Sequence, residues 1–234
     1  MNILVTGSSS GIGLATRTRL LATGHSVVGL ARRPQAPSER FVPVSIDLSD
    51  LDALPERLRD LLRSQPPFDA LICCAGRGHF GDLEQFSPAH IRDLIDLDFT
   101  SHALVVRALL PDMKRRGDGR IVLLGSEAAL RGTQKGSIYC AAKFALRGFA
   151  QALREETARH GISVTLINPG MVRTPFFDGL DFQPGPDANC AIEAGDVAAV
   201  IIDSLTTRAG TAIDEINLSP QIKVIDFNKK GGTP

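Results

Sequence analysis

Two residues four positions apart, Tyr139 and Lys143, form the pair in this chain best suited to proton transfer. Residues at this spacing lie on one face of a helix, so the Lys143 ammonium can stand beside the Tyr139 phenol and favour its ionised form. The phenol would then serve as both proton donor and proton acceptor. Tyr139 is the single tyrosine of the chain, and another hydroxyl, Ser126, lies upstream of it.

A glycine-rich turn occupies the start of the chain, where segment 6–13 reads TGSSSGIG after a short apolar run. A helix beginning near Gly11 would point its N-terminal N–H groups at a diphosphate. The glycines permit a tight turn, close approach of a cofactor and close helix–strand packing. The spacing differs from the G-x-G-x-x-G fingerprint, and a purely structural turn is the alternative. The residues expected to bind the cofactor here are Gly7, Ser9, Ser10, Gly11, Ile12 and Gly13.

The end of the second predicted strand bears on cofactor choice. An acidic residue there would accept hydrogen bonds from a ribose 2′-hydroxyl and repel a 2′-phosphate, but the chain has Ala31, Arg32 and Arg33. A guanidinium can bind a phosphate through two hydrogen bonds. We therefore predict NADP(H), with Arg32 as the main ligand and Arg33 as the second. Two solvated surface charges are the alternative interpretation.

Short apolar runs alternate with longer amphipathic stretches, which predicts an α/β fold with a parallel sheet of about seven strands covered by helices on both faces. The predicted helices lie near 11–23, 50–64, 88–115, 138–160 and 195–207. The predicted strands are 2–5, 26–30, 41–46, 70–74, 120–124, 163–167 and 212–218.

Composition narrows the class of protein. The chain has 234 residues, of which 43% are hydrophobic, and no net charge, so we expect one domain over 1–234 and neither nucleic acid nor a membrane as partner. We see no secretory signal, and two of the four cysteines are adjacent, which argues against a disulfide framework. A cytoplasmic location fits best. The five histidines show no metal-ligand spacing.

Two segments interrupt the alternating pattern. Segment 171–194 is rich in Pro, Gly and Asp but carries Phe176, Phe177 and Phe182. It is expected to be either an apolar lid over a substrate or a loop that packs its own aromatic rings. The tail 221–234 is expected to be frayed.

The order of these motifs resembles the short-chain dehydrogenase/reductase family. The resemblance covers about residues 2–218 and rests on the glycine turn, Ser126, Tyr139-x-x-x-Lys143 and Asn168-Pro-Gly-x-Val-x-Thr174. It implies a single-domain, Rossmann-type, doubly wound oxidoreductase that moves hydride between a nicotinamide cofactor and a small or medium carbonyl/alcohol substrate. It also implies self-association as a homodimer or homotetramer.

The resemblance further implies residue roles. Tyr139 would act as general acid/base, Ser126 would hydrogen-bond the substrate oxygen, and Lys143 would also hold the nicotinamide ribose. The nicotinamide would pack against the turn after the sixth strand, and the adenine would lie beside the end of the third. The further cofactor residues implied are Asp47, Leu48, Ala75, Gly76, Tyr139, Lys143, Pro169, Gly170, Val172 and Thr174.

Two departures from the family pattern bear on activity. Cys73 and Cys74 stand where the family usually has two Asn, which removes bracing amides and leaves either small apolar packing or a redox role. Asp98 stands where the family has an Asn that supports a proton path to the lysine. Its carboxylate is expected either to pair with Lys143 and weaken its influence on Tyr139, or to protonate and partly imitate the amide.

The alternative function is therefore a catalytically weak NADP(H)-binding regulator or redox sensor. Intact Ser126, Tyr139 and Lys143 argue against it. At the predicted substrate pocket, His79 is a candidate edge residue, and Arg131 and Arg173 are candidates to bind an anionic substrate group.

Overall fold

The computed structural model describes residues 1–33 and 35–227. Within these ranges the chain forms six α-helices: α1 (Gly11–Ala22), α2 (Leu54–Ser64), α3 (Pro88–Ile95), α4 (Ser101–Arg116), α5 (Ser137–Thr157) and α6 (Ala194–Leu205). The same ranges contain eleven β-strands: β1 (Asn2–Thr6), β2 (Ser26–Ala31), β3 (Phe41–Ser45), β4 (Ala70–Cys73), β5 (Gly119–Leu124), β6 (Ile162–Pro169), β7 (Val172–Arg173), β8 (Phe182–Pro184), β9 (Ile192–Glu193), β10 (Glu215–Leu218) and β11 (Ile225–Phe227).

A parallel sheet with the order β3-β2-β1-β4-β5-β6-β10 forms the centre of the described structure. Its seven strands confirm the predicted α/β class and the doubly wound arrangement. The chain proceeds outward from β1 in one direction to β3 and then returns to β4 on the other side. Ligands of such sheets bind outside the carboxyl ends of the strands where the order reverses, here between β1 and β4.

Each face of the sheet has its own apolar core. On β1 the side chains alternate, since Leu4 packs into the core beneath α2, α4 and α5, whereas Ile3 and Val5 pack into the core beneath α1 and α6. All three are fully buried. This burial on both faces explains why the strand is a continuous apolar run and not an alternating one.

The second helix begins later than predicted. We expected it from residue 50, but α2 begins at Leu54 with Pro55 in its first turn. Proline has no backbone N–H and is favoured at the first helical position, so it marks the start of the helix. The preceding residues form a turn.

The predicted single helix 88–115 is wrong in one respect. It is divided into α3 and α4 by a π-helical segment, Asp96–Thr100. A π segment adds one residue to a helical turn and is often found at functional sites. Here it carries Asp98, whose side chain is fully buried and lines the central cavity.

Segment 171–194 and the residues after 221 pack together. The short strand β7 pairs with β9, and β8 pairs with β11 in antiparallel register. The expectation of a frayed tail is therefore wrong for Ile225–Phe227, because long-range pairing orders them. Residues 228–234 of the predicted tail lie outside the described residues. No helix in the described ranges is long and apolar enough to cross a membrane.

Candidate active site

A cavity of about 960 Å³ opens at the carboxyl ends of the strands. It brings together Ser126, Tyr139, Lys143 and Asp98, which come from the end of β5, from α5 and from the π segment. Of the predicted cofactor residues, Arg33 is absent from the lining that the described residues form. Those that line the cavity are Gly7, Ser9, Ser10, Gly11, Ile12, Gly13, Arg32, Asp47, Leu48, Ala75, Gly76, Tyr139, Lys143, Pro169, Gly170, Val172 and Thr174.

The glycine turn has the shape of a phosphate cradle. Gly7 and Gly11 have φ angles of +65° and +51°, which side chains rarely adopt. A Cβ on Gly13 would lie 2.2 Å from the Gly7 carbonyl oxygen, so only glycine allows α1 to begin this close to β1. Ser10 is the N-cap of α1, and the first turn carries no acidic side chain. The backbone N–H groups in the first turn of α1 and the positive end of its helix dipole therefore fit a diphosphate.

Arg32 lies beside Asp47 at the far end of the same cavity. The Ser49 hydroxyl and backbone N–H donate hydrogen bonds to Asp47 Oδ1 at 2.6 Å and 2.9 Å. These bonds lower the pKa of Asp47, and the Arg32 charge lowers it further. The Asp47 carboxylate is ionised at neutral pH and can accept a hydrogen bond. Of the two arginines, Arg32 is part of the cavity lining that the described residues form, and Arg33 is not.

The loop after β4 is held close to the glycine turn. The backbone N–H of Ala75 donates to Thr6 Oγ1 at 3.1 Å. The Ala75 carbonyl accepts a 2.9 Å hydrogen bond from Nε2 of the fully buried His102, which assigns the ring proton to Nε2. Burial, together with the Lys143 charge, lowers the pKa of His102 to about 3. His102 is thus a neutral brace for this loop, a role that the sequence did not indicate.

Tyr139 and Ser126 meet at the inner end of the cavity. Tyr139 is 7% exposed. Ser126 Oγ accepts a hydrogen bond from the Ala128 backbone N–H at 3.1 Å, which fixes its orientation at the end of β5. Both residues line the cavity, and a hydrogen bond from the Ser126 side chain lowers the pKa of the Tyr139 phenol.

Lys143 forms a buried ion pair with Asp98. Its Nζ lies 3.2 Å from Asp98 Oδ1, and the two side chains are 5% and 0% exposed. Asp98 Oδ2 accepts a hydrogen bond from the Arg77 backbone N–H at 3.3 Å. A Cβ on Gly76 would come within 2.7 Å of Oδ1, so Gly76 makes room for the pair. The distance between Lys143 and Asp98 fits the first outcome expected for Asp98, the pairing, whereas the pKa of Asp98, which burial raises, favours the second, the protonated form.

The ion pair changes the electrostatics expected for Tyr139. Burial raises the pKa of the Tyr139 phenol, and although Lys143 lowers it, the Asp98 charge raises it again; the net pKa lies above the usual value. The predicted effect of Lys143, to lower the pKa of Tyr139, is therefore present, but desolvation and the Asp98 charge together outweigh it. Burial also tends to lower the pKa of Lys143, but the charges of Asp98 and Tyr139 hold it above its ordinary value. Lys143 therefore remains a cation.

The turn after β6 closes one side of the cavity. Asn168 is fully buried and donates to Glu215 Oε1 and Asn217 Oδ1 at 2.7 Å and 3.0 Å, which fixes the end of β6 to β10. The Thr174 hydroxyl donates to the Val172 carbonyl at 3.3 Å. A Cβ added to Gly11 would lie 3.4 Å from the Thr174 side chain. Thr174 therefore lies directly above the glycine turn.

The cysteines are free thiols. Burial raises the pKa of Cys73, and it raises that of Cys74 to about 12. A thiol must ionise to react readily, so these two are unreactive near neutral pH and pack as small apolar residues. Among the described residues no group of His, Cys, Asp and Glu is arranged to hold a metal ion.

Two of the three candidate substrate residues are absent from the cavity lining that the described residues form. His79 packs against Phe86 and His90, outside the cavity lining. Arg173 pairs with Glu193 at 3.3 Å, whereas Arg131 does line the cavity.

Sequence reasoning missed Phe80, Glu127 and the segment 223–227. Glu127, next to Ser126, forms an ion pair with Lys223. This ion pair and the pairing of β8 with β11 bring that segment to the site. Both are long-range contacts, so no local pattern indicated them.

Comparison with known proteins gives consistent results. The sequence profile described as short chain dehydrogenase matches residues 1–183. An uncharacterized oxidoreductase of Staphylococcus epidermidis is 28% identical over 93% of this chain and 96% of its own length. Estradiol 17-beta-dehydrogenase 1 of Rattus norvegicus is 33% identical over 78% of this chain, which spans 57% of that protein.

Among solved structures, a metagenomic short-chain oxidoreductase in complex with NADP superposes with a TM-score of 0.81. It is 28% identical, and the match covers 95% of this chain and 98% of the other. The likeness extends across the sheet and both helical layers.

Proposed function

Since this chain belongs to the short-chain dehydrogenase family, we propose that it is an NADP(H)-dependent oxidoreductase acting on a small or medium carbonyl/alcohol substrate. The observation that carries the proposal is the convergence of Ser126, Tyr139 and Lys143 on one cavity with the glycine turn. The names of two relatives, an oxidoreductase and a dehydrogenase, support oxidation and reduction as the class of reaction.

The cofactor would lie along the carboxyl edge of the sheet. The N–H groups at the start of α1 would bind its diphosphate, Asp47 its adenine amino group, and Lys143 its nicotinamide ribose. The bound nicotinamide supplies hydride chemistry. Arg32 would bind the 2′-phosphate, and the NADP in the metagenomic relative supports this preference.

The chain's own residues would move the proton. In the reducing direction Tyr139 donates its phenolic proton to the carbonyl oxygen, which Ser126 holds by a hydrogen bond. The phenol carries its proton at neutral pH, as a donor must, although burial raises its pKa and so makes it a weaker acid. Lys143 stabilises the phenolate left behind.

The test is oxidation of NADPH and NADH over a panel of carbonyl compounds, with direct titration of both cofactors. We expect NADPH-selective turnover, and we expect Tyr139→Phe to lower kcat by about 10²-fold or more while cofactor affinity and the circular dichroism spectrum are retained. Turnover that survives the substitution would overturn the role of Tyr139. Failure to bind either cofactor would overturn the whole proposal.

A second function is favoured by one observation. The Asp98–Lys143 ion pair shares the Lys143 charge between two partners, which would suit a catalytically weak, cofactor-binding regulator. The unreactive Cys73 and Cys74 do not support a redox sensor. Tight NADPH binding without turnover on any carbonyl would select this alternative.

A further inference from the structure

A path of aromatic rings leads from Tyr139 to the outer surface of the cavity. The Phe80 ring centroid lies 5.1 Å from that of Tyr139, and Phe182 lies 5.0 Å from Phe80. Phe227 follows at 6.5 Å from Phe182 and is 65% exposed. These separations are those of interacting aromatic pairs.

A second branch closes this path into a ring. Phe176 lies 6.0 Å from Tyr139, Phe177 lies 5.2 Å from Phe176, and Phe182 lies 5.8 Å from Phe177. Every member lines the cavity, and each phenylalanine of the closed ring remains partly exposed. A cluster that served only as core would bury these rings, so their remaining area is available to a ligand.

The outer wall is held in place by specific contacts. The ladder of β8 with β11 carries Phe182 and Phe227 side by side. Lys223 is anchored by its ion pair with Glu127, and the Gly185 N–H donates to the Val224 carbonyl at 3.0 Å. These contacts hold two exposed apolar side chains, Ile225 and Phe227, at the mouth of the cavity. Exposing them costs free energy that a bound apolar group would recover.

We infer that the substrate carries a bulky apolar body, aromatic or alicyclic, attached to its reacting carbonyl and lying along Phe80, Phe182 and Phe227. This inference rests on the proposed function and deepens it, since the reacting oxygen is placed by Ser126 and Tyr139. The polar groups of the inner end then select the carbonyl, and the aromatic wall selects the body.

Butan-2-one and 4-phenylbutan-2-one test the inference, because they share the reacting ketone and differ by a phenyl group. We expect kcat/KM to be at least about tenfold higher for the phenyl compound, which is the usual effect of burying an apolar group of that size. Phe182→Ala and Phe227→Ala should each lower this ratio by about threefold or more. The control is Leu83→Ala, which removes a 55% exposed side chain outside the cavity and should keep the ratio.

Saturation-transfer NMR measures the binding of 4-phenylbutan-2-one independently of turnover. It therefore distinguishes a failure of this inference from a failure of the proposed function. Turnover of butan-2-one with no preference for the phenyl compound would overturn the inference and leave the proposed function standing. A second outcome is that neither ketone is turned over but the phenyl protons of 4-phenylbutan-2-one give a saturation-transfer signal that Phe182→Ala abolishes. This outcome would support the inference and count against the reductase. Absence of turnover of both ketones together with absence of phenyl-compound binding would overturn the inference. Failure to bind NADPH and NADH would overturn the proposed function as well.

Discussion

Lys143 is the residue on which the chemistry of this site depends most. Its ammonium is buried with a carboxylate 3.2 Å away, and each charge favours the charged form of its partner while burial disfavours both. The Asp98 charge therefore opposes the effect of Lys143 on Tyr139. The balance between these three groups sets the pH at which Tyr139 gives up its proton.

Asp98→Asn should shift the pH profile of alcohol oxidation to lower pH. Oxidation requires an ionised Tyr139, and Asp98 raises the pKa of that phenol; removing its charge therefore lowers the pKa. The measurement is kcat against pH in the oxidising direction. Asp96→Asn, a neighbour outside the cavity, is the control, and an identical profile in Asp98→Asn would show that the charge has no such effect.

Arg32→Ala should weaken NADPH binding by about tenfold or more, with little change for NADH. A hydrogen-bonded charge pair contributes about 1.5–3 kcal/mol, and 1.4 kcal/mol corresponds to tenfold in affinity. Calorimetric titration of both cofactors measures the difference. Arg33→Ala is the matched comparison, since Arg33 lies outside the cavity lining of the described residues; an equal loss in both variants would contradict the assignment.

At the scale of elements, two local departures from regular geometry position the site. The π segment Asp96–Thr100 carries Asp98 to Lys143, and the glycine turn lets α1 begin directly above β1. The π segment places a carboxylate beside Lys143, which changes the electrostatics of the site, and the glycine turn removes a steric clash between α1 and β1. Both effects depend on the local shape of the backbone.

Gly13→Ala should destabilise the fold by about 1–3 kcal/mol, because its Cβ would meet backbone atoms of Gly7 that cannot move aside easily. Gly148→Ala is the matched control, since Gly148 lies within α5 with no atom within 4 Å of an added Cβ. It should stabilise by up to about 1 kcal/mol through helix propensity. Urea unfolding of the two variants compares them directly, and a Gly13→Ala variant as stable as the parent would refute the steric argument.

For the whole molecule, we expect a homodimer or homotetramer built from one domain per chain. Phe144 on α5 is 44% exposed, and an exposed aromatic side chain on a long helix is suited to a partner surface. Light scattering coupled to size exclusion should give two or four times the 25.0 kDa chain mass. A single-chain mass at micromolar concentration would contradict this expectation.

Local patterns along the chain were sufficient to predict the central sheet and the candidate catalytic residues. Strand positions follow from apolar runs buried on two faces, and the Tyr139–Lys143 spacing follows from the helical repeat, so both are local properties. The family resemblance rested on such local motifs, and the sequence profile match confirms it.

Two features depend on tertiary packing and were not predictable from local patterns: the net electrostatics of Tyr139 and the aromatic wall. The net pKa of Tyr139 depends on burial and on Asp98, which lies far from Tyr139 in sequence. The aromatic wall joins Phe80, Phe182 and Phe227 from three separate segments, two of them paired only through β8 and β11. Desolvation and long-range packing depend on everything that surrounds a group in space, and a linear pattern does not contain that information.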